Sequence, residues 1–474
     1  MSADSVDQTA GSTARASLTP DRAAEQTRTL FVAGAGTLVA LALFTVPMCA
    51  LPALAAVLAA GPAAQTWMLS SMSVGLAAGL LLTGALADDY GRRRVFLLGA
   101  VAVALTCVLG VLGASPTLFV LARVVQGVGA AALVSCGLGL VGHAYPCGPA
   151  RVRATGIWGA CVGGGIALGP LLAATMGPTL GWRSPYLLLA LLGGVLAMAA
   201  RRLLVESRAD RPQRVDLPGA LLLGIGTSAL LAGLVAGRTS WVAPSTLAPL
   251  AGGVLALTAF VLVESAAPRR GRAPLLDLRL FRRPDFVAAT VAGLATGLGV
   301  IAAMSFLPVV LERGLHTGAL AAALSLVIWS AVSVPVALVA RRLRAEGDAQ
   351  LAAGLLLVAV ALLLLTGIHA GQGLARLLPG LVLAGIGSGV LNAALGRQAV
   401  ASVPADRAGM GSGANNTARY LGSAVGVTVV AVLATHPDAA GLLAGWNTAV
   451  LVTAAFSLAG AAAVLACRHR PGRT

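Results

Sequence analysis

Long apolar runs separated by short polar punctuation set the pattern of this chain. Fourteen of them, at about 31–57, 66–86, 95–113, 117–142, 154–176, 185–200, 217–237, 244–264, 287–311, 318–340, 350–368, 376–398, 411–434 and 446–467, approach the length needed to cross a membrane. A helix rises about 1.5 Å per residue, so roughly 20 such residues span the hydrocarbon core. Each run is therefore predicted as a transmembrane helix, and an even number of crossings puts both chain ends on one side. Residues 1–29 mix Asp4, Asp7, Asp21 and Glu25 with arginines, serines, threonines and alanines, which predicts a disordered tail before an uncleaved first span. A short tail over 468–474 closes the chain.

Composition agrees with this pattern: of 474 residues 58% are hydrophobic and 11% charged, with mean hydropathy +0.89. That balance excludes a soluble domain. The net charge of +16 needs no nucleic acid, because the arginines fall where topology wants them. There is no lysine. Of the thirty-three arginines, 27 lie on the side of the two tails and only four (Arg183, Arg238, Arg313, Arg376) opposite, while Arg123 and Arg419 lie within spans. The excess predicts that both termini are cytoplasmic, in the cell membrane. Trp67, Trp182, Trp241 and Trp446 fall at predicted outer ends, as an aromatic belt would.

Chemistry of a catalytic kind is missing from the sequence. The six cysteines are scattered without CxxC spacing and read as small core residues. The five histidines sit in loops or tails, there is no ATP-binding glycine loop, and no extramembrane stretch exceeds about thirty residues. No enzyme, metal or cofactor is expected.

The most informative stretch is Gly84-Ala-Leu-Ala-Asp88-Asp89-Tyr90-Gly91-Arg92-Arg93-Arg94, a charged turn between spans 2 and 3. Gly84 offers room for another helix. Asp88 suits a helix N-terminus, and Arg92 and Arg93 tether the turn to the cytoplasmic side. The segment resembles the Gly-x-x-x-Asp-x-x-Gly-Arg-Arg loop between helices 2 and 3 of the major facilitator superfamily. Further stretches extend the resemblance over residues 31 to about 467, toward the fourteen-span drug:proton antiporters. In span 4, Arg123 within Leu121-Ala-Arg-Val-Val-Gln126-Gly127-Val-Gly129 puts a charge in the bilayer, costing about 2.5–3.5 kcal/mol on insertion scales, unless it snorkels outward. The resemblance gives it a role in proton handling, together with Asp88. In span 5, Gly156, Gly165, Gly169 and Pro170 allow tight helix contact and a bend, and they resemble the antiporter motif, with Ala173-Ala174 where the motif closes on two glycines. In span 13, Asn415, Asn416 and Arg419 stand at helical spacing near Asn392 of span 12. They are read as cavity groups or, equally, as helix–helix hydrogen-bond partners. Gln126, Trp158 and Trp329 are further candidates for the cavity wall, though a tryptophan there also reads as packed core.

The resemblance implies two six-helix bundles, residues 30–202 and 285–467, joined by linkers and two inserted helices over 203–284, with the Asp88–Arg93 loop gating alternating access. Gly181-Trp182-Arg183 and Gly445-Trp446-Asn447 echo one another faintly, and residues 273–283 read as an amphipathic helix on the inner leaflet. The expected activity is export of a small amphipathic molecule by a monomer, with a proton as coupling ion. One departure stands out: where the antiporters carry an aspartate in span 1, this chain has Leu43, and none of its seventeen acidic residues falls at mid-span. Two rival readings follow, a proton-independent exporter of a specific metabolite and a non-transporting membrane sensor or scaffold.

Overall fold

A computed structural model describes residues 20–113, 115–145, 148–208, 216–237, 240–267, 274–340, 347–403 and 408–468; parts of both predicted tails and of several linkers lie outside them. Among the described residues there is no strand, as a hydrocarbon solvent demands of a backbone that must pair its own polar groups. The helices are α1 (Pro20–Val57), α2 (Pro62–Tyr90), α3 (Arg92–Leu112), α4 (Pro116–Ala144), α5 (Gly148–Leu180), α6 (Ser184–Leu203), α7 (Leu217–Ala236) and α8 (Pro244–Ala266). After them come α9 (Pro284–Gly314), α10 (Ala319–Ala340), α11 (Gly347–Leu364), α12 (Leu378–Ala401), α13 (Ala408–Ala434) and α14 (Ala439–Arg468). All fourteen contain a segment long and apolar enough to cross a membrane. Nine of them carry proline in the first turn, where its missing N–H costs nothing and its fixed φ is already helical.

The packing repeats. Within the first six helices the main pairings are α1 with α5, α2 with α4, α3 with α4 and α3 with α6; adding eight to each number gives pairings equally prominent in the last six, where α9 also packs closely on α14. Three seams join the halves: α2 against α13, α5 against α10, and α1 against α9. The first two are exchanged by the pseudo-two-fold relation and the third maps onto itself. The hairpin α7–α8 leans across the α2–α13 seam, where Leu231 of α7 packs with Val74 of α2 and Ala424 of α13. One face of the bundle carries both described chain ends and the arginine-rich α2–α3 turn; the other carries the α1–α2 and α9–α10 turns.

Three expectations need correction. Helix α14 begins seven residues earlier than predicted, because Asp438 caps it: Gly441 N–H donates to Asp438 Oδ2 at 2.8 Å, which holds that carboxyl below its usual range. Trp446 thus lies inside the helix with no exposed surface, its Nε1 donating to the Leu365 carbonyl at 3.2 Å. Trp182 is likewise buried, stacked edge-on with Phe119 and Tyr186, so four tryptophans do not form a belt; Trp241 is the exposed one. Finally, the described part of 273–283 is no interfacial α-helix but a 3-10 turn, Leu278–Arg282, capped by Asp277, with Leu275 and Leu280 buried.

Candidate transport site

The two halves meet through small and hydroxylated residues. Ser73 and Ser423 hydroxyls lie 3.0 Å apart, Thr417 donates to the Ala77 carbonyl at 3.2 Å, and Phe44 of α1 meets Tyr420 of α13 edge-on at 5.8 Å. Along α5–α10, Gly163 lies against Val334. None of these pairings was legible beforehand, since each side belongs to a different half.

Inside the first half, α1 and α5 run parallel in a close seam. A Cβ at Gly165 would meet the Leu38 carbonyl at 2.6 Å, and one at Gly169 would strike Thr45 and the Ala42 carbonyl. Thus two glycines of the span-5 motif serve contact with α1. Pro170 is buried within a helix that continues to Leu180, and Gly156 is half-buried toward its start.

Arg123 has no exposed surface and does not snorkel. Its partner is set by Pro47, a proline inside α1. Pro47 has no N–H, so the carbonyl of Leu43, four residues back, loses its helical donor. Arg123 Nη1 supplies one at 2.8 Å, while Nη2 reaches the Phe44 carbonyl at 3.2 Å. Gln126 Oε1 accepts from Nη1 at 3.2 Å, and Gln126 Nε2 in turn faces Cys107 Sγ at 3.8 Å. The guanidinium therefore sits beside the position at which the resemblance expects an aspartate, held by dipoles; Arg123 Nε and the nearby Tyr186 hydroxyl have no partner.

Several predicted cavity groups lie elsewhere. Gln126 is buried in the Arg123 network. Trp329 is packed core, its Nε1 donating to Ser388 Oγ at 3.0 Å. Asn415 is buried and joins α13 to α9 by donating to the Ala289 carbonyl at 2.6 Å, whereas Asn416 donates to Ser412 of its own helix at 3.0 Å. Arg419 is half-buried near the Tyr420 ring, with Nε unpaired, and Asn392 is exposed on α12. Of the six, Asn392 is exposed and Asn416 and Arg419 are half-buried.

The charged turn is anchored to its own half. Gly91 has φ +109°, a conformation that favours glycine, and a Cβ there would collide with the Glu206 carboxylate. Arg93 N–H donates to Glu206 Oε1 at 3.0 Å, Arg94 lies 3.7 Å from Oε2, Arg93 Nη2 donates to the Arg201 carbonyl at 2.8 Å, and Arg92 N–H to the Ser207 carbonyl at 2.9 Å. Glu206, which sequence reasoning missed, is the hub. The Asp88 side chain lies outside the described residues. Gly84 is corrected: nothing stands within 4 Å of where its Cβ would be, and α2 approaches its neighbour at Gly75, against Gly127 of α4. The turn borders a cavity of about 330 Å³ lined by Arg93, Arg94, Leu97, Arg201 and Glu206; a second, about 360 Å³, opens at the other face among Pro52, Ala55, Ala56, Gln65 and Arg313. Among the described residues no three His, Cys, Asp or Glu side chains gather as metal ligands.

Fourteen membrane-length helices in two matching bundles define a polytopic membrane protein of the two-bundle carrier type. The Major Facilitator Superfamily profile matches residues 33–427, and the chain belongs to that family. It is similar to the cephamycin export protein CmcT of Amycolatopsis lactamdurans, 34% identical over 425 residues that cover 86% of each chain. It is also similar to the puromycin resistance protein pur8 of Streptomyces alboniger, 33% identical over 84% of this chain and 79% of that one. Among solved structures, the human organic anion transporter MFSD10 (TETRAN) shares the fold, with TM-score 0.62 and 20% identity over 93% of this chain and 99% of the other.

Proposed function

We propose that this protein exports a small amphipathic molecule, in the manner of drug and antibiotic efflux carriers, by alternating access coupled to protons. The observation that carries the reading is similarity over more than four-fifths of the chain to relatives named for antibiotic export and resistance. Two features support it. The α1–α5 seam gives the first half a rigid edge, and the serine and threonine contacts along α2–α13 are weak enough to part when two bundles tilt. In this reading the arginine-rich face is cytoplasmic and the membrane is the cell membrane. The substrate carries little net positive charge, because no acidic residue stands at mid-span to offset it.

A toxicity panel in cells with and without the protein tests export. Protection against at least one amphipathic compound, lost in Arg123→Ala, is expected; equal sensitivity across the panel removes the reading. The second reading, proton-independent export, is favoured by Leu43 and is separated by efflux from everted vesicles: transport that ignores a collapsed proton gradient selects it.

A further inference from the structure

If Leu43 leaves α1 without a carboxylate, the proton has to act elsewhere, and one acidic side chain stands at the far-face edge of the α1–α9 seam. Glu312 lies at the far-face end of α9, inside a π-turn, Val310–Gly314. Such turns interrupt the ordinary helical ladder and gather at functional sites. From Ala302 to Leu311 this helix is buried all round; its Ala302–Val309 part meets α1, and the π-turn beyond it packs on α14 and α10. Glu312 Oε1 is buried and has no hydrogen-bond partner, and the side chain forms no ion pair among the described residues.

The surroundings account for that isolation. From α1 the facing titratable group is Cys49, buried and within electrostatic reach. The α1–α2 region adds Gln65, which is neutral. On its own segment Arg313 lines the adjoining cavity with Pro52, Ala55 and Ala56, and His316 occupies the following turn. Helix α14 presents Leu442 and Leu443 beside Gly314, with His436 and Asp438 before its first turn, and α10 holds no titratable residue at all. A half-buried carboxylate with one oxygen shielded from water and unpaired is less favourable when charged than when neutral.

We propose that Glu312 is the proton-operated gate of the far face: neutral, it lets α9 close on α1, and ionised, it drives the two apart toward water. The inference rests on the reading of the chain as a carrier whose halves tilt, and it moves the coupling site from the first half to the second.

The test uses the full chain in proteoliposomes with its six cysteines replaced and spin labels at Gly61→Cys and Gly318→Cys, two positions with open space around them on either side of the seam. With Glu312 present, short distances should dominate at the acid end of a pH series and give way to longer ones as pH rises, the closed-to-open ratio falling by up to about tenfold per pH unit for one proton. Glu312→Gln should hold the short distance at every pH, and Glu312→Asp should restore the response. Distances that ignore pH with Glu312 present, or that respond equally in Glu312→Gln, overturn the proposal. Movement of Nile red, a neutral amphipathic dye, in vesicles of the same protein is read in parallel. A Glu312-dependent distance response without Nile red transport supports the gate and counts against export of that probe. Nile red transport with pH-blind distances overturns the gate alone.

Discussion

Arg123 is the best-held charge in the first half, and its energetics depend on a proline 76 residues away. Each bond from its guanidinium to a buried carbonyl is worth about 1.5–3 kcal/mol, and removing the donor strands the acceptor. Arg123→Ala should therefore lower the thermal midpoint in detergent markedly. Pro47→Ala returns a helical N–H to the Leu43 carbonyl, so the double variant should recover about 1 kcal/mol or more of that loss, a coupling that a double-mutant cycle reads directly. Additive losses would show that the carbonyl was never short of a donor. The sequence announced a charge in span 4, but which carbonyl on which helix the charge would reach depends on the angle between α1 and α4, and no single-chain pattern carries that. Glycines divide in the same way. Gly169→Ala should cost about 1–3 kcal/mol by overpacking against Thr45 and the Ala42 carbonyl. Gly84→Ala, facing open space, should be neutral or stabilising by up to about 1 kcal/mol. Thermal unfolding of the two variants checks both.

At the scale of elements, the spans were legible because length and apolarity alone decide them, whereas their ends follow local capping chemistry. The early start of α14 came from Asp438, a single side chain outside the apolar run. Asp216 plays the corresponding part at α7, accepting from Gly219 N–H at 3.2 Å; Asp216→Ala should cost about 1 kcal/mol of stability, measured as above. Gly219 sits between that carboxylate and Glu264, whose Oε2 accepts from Leu276 N–H at 3.2 Å, so the hairpin and the following linker share one polar joint. The α2–α3 turn shows the limit of a motif. Its residues were recognisable, but the partner, Glu206, lies beyond α6 and is not part of it. Glu206→Gln should loosen Gly91–Arg94 and raise proteolytic cleavage there, while Gly91→Ala, strained at positive φ, should do so more strongly.

For the whole molecule, two halves were countable from the spans, yet the residues echoed one another in only two dipeptides. The pairing of helices repeats far more faithfully than the amino acids do, because packing in lipid asks for small residues at close contacts without specifying which. Candidate cavity groups read from polarity alone mostly turned out to be structural: a buried amide in hydrocarbon must find a partner, and Asn415, Gln126 and Trp329 each found one in a neighbouring side chain or helix.

The hairpin α7–α8 straddles the joint between α2 and α13, touching both. If the carrier rocks as proposed, parting those two helices has to slide it off one of them, and the hairpin would act as a bearing whose grip sets the friction of the stroke. A disulfide between Leu231→Cys and Val74→Cys ties the bearing to one bundle, and one between Leu231→Cys and Ala424→Cys ties it to the other; whichever tether stops turnover identifies the surface that slides, and the other is the one on which the hairpin rides.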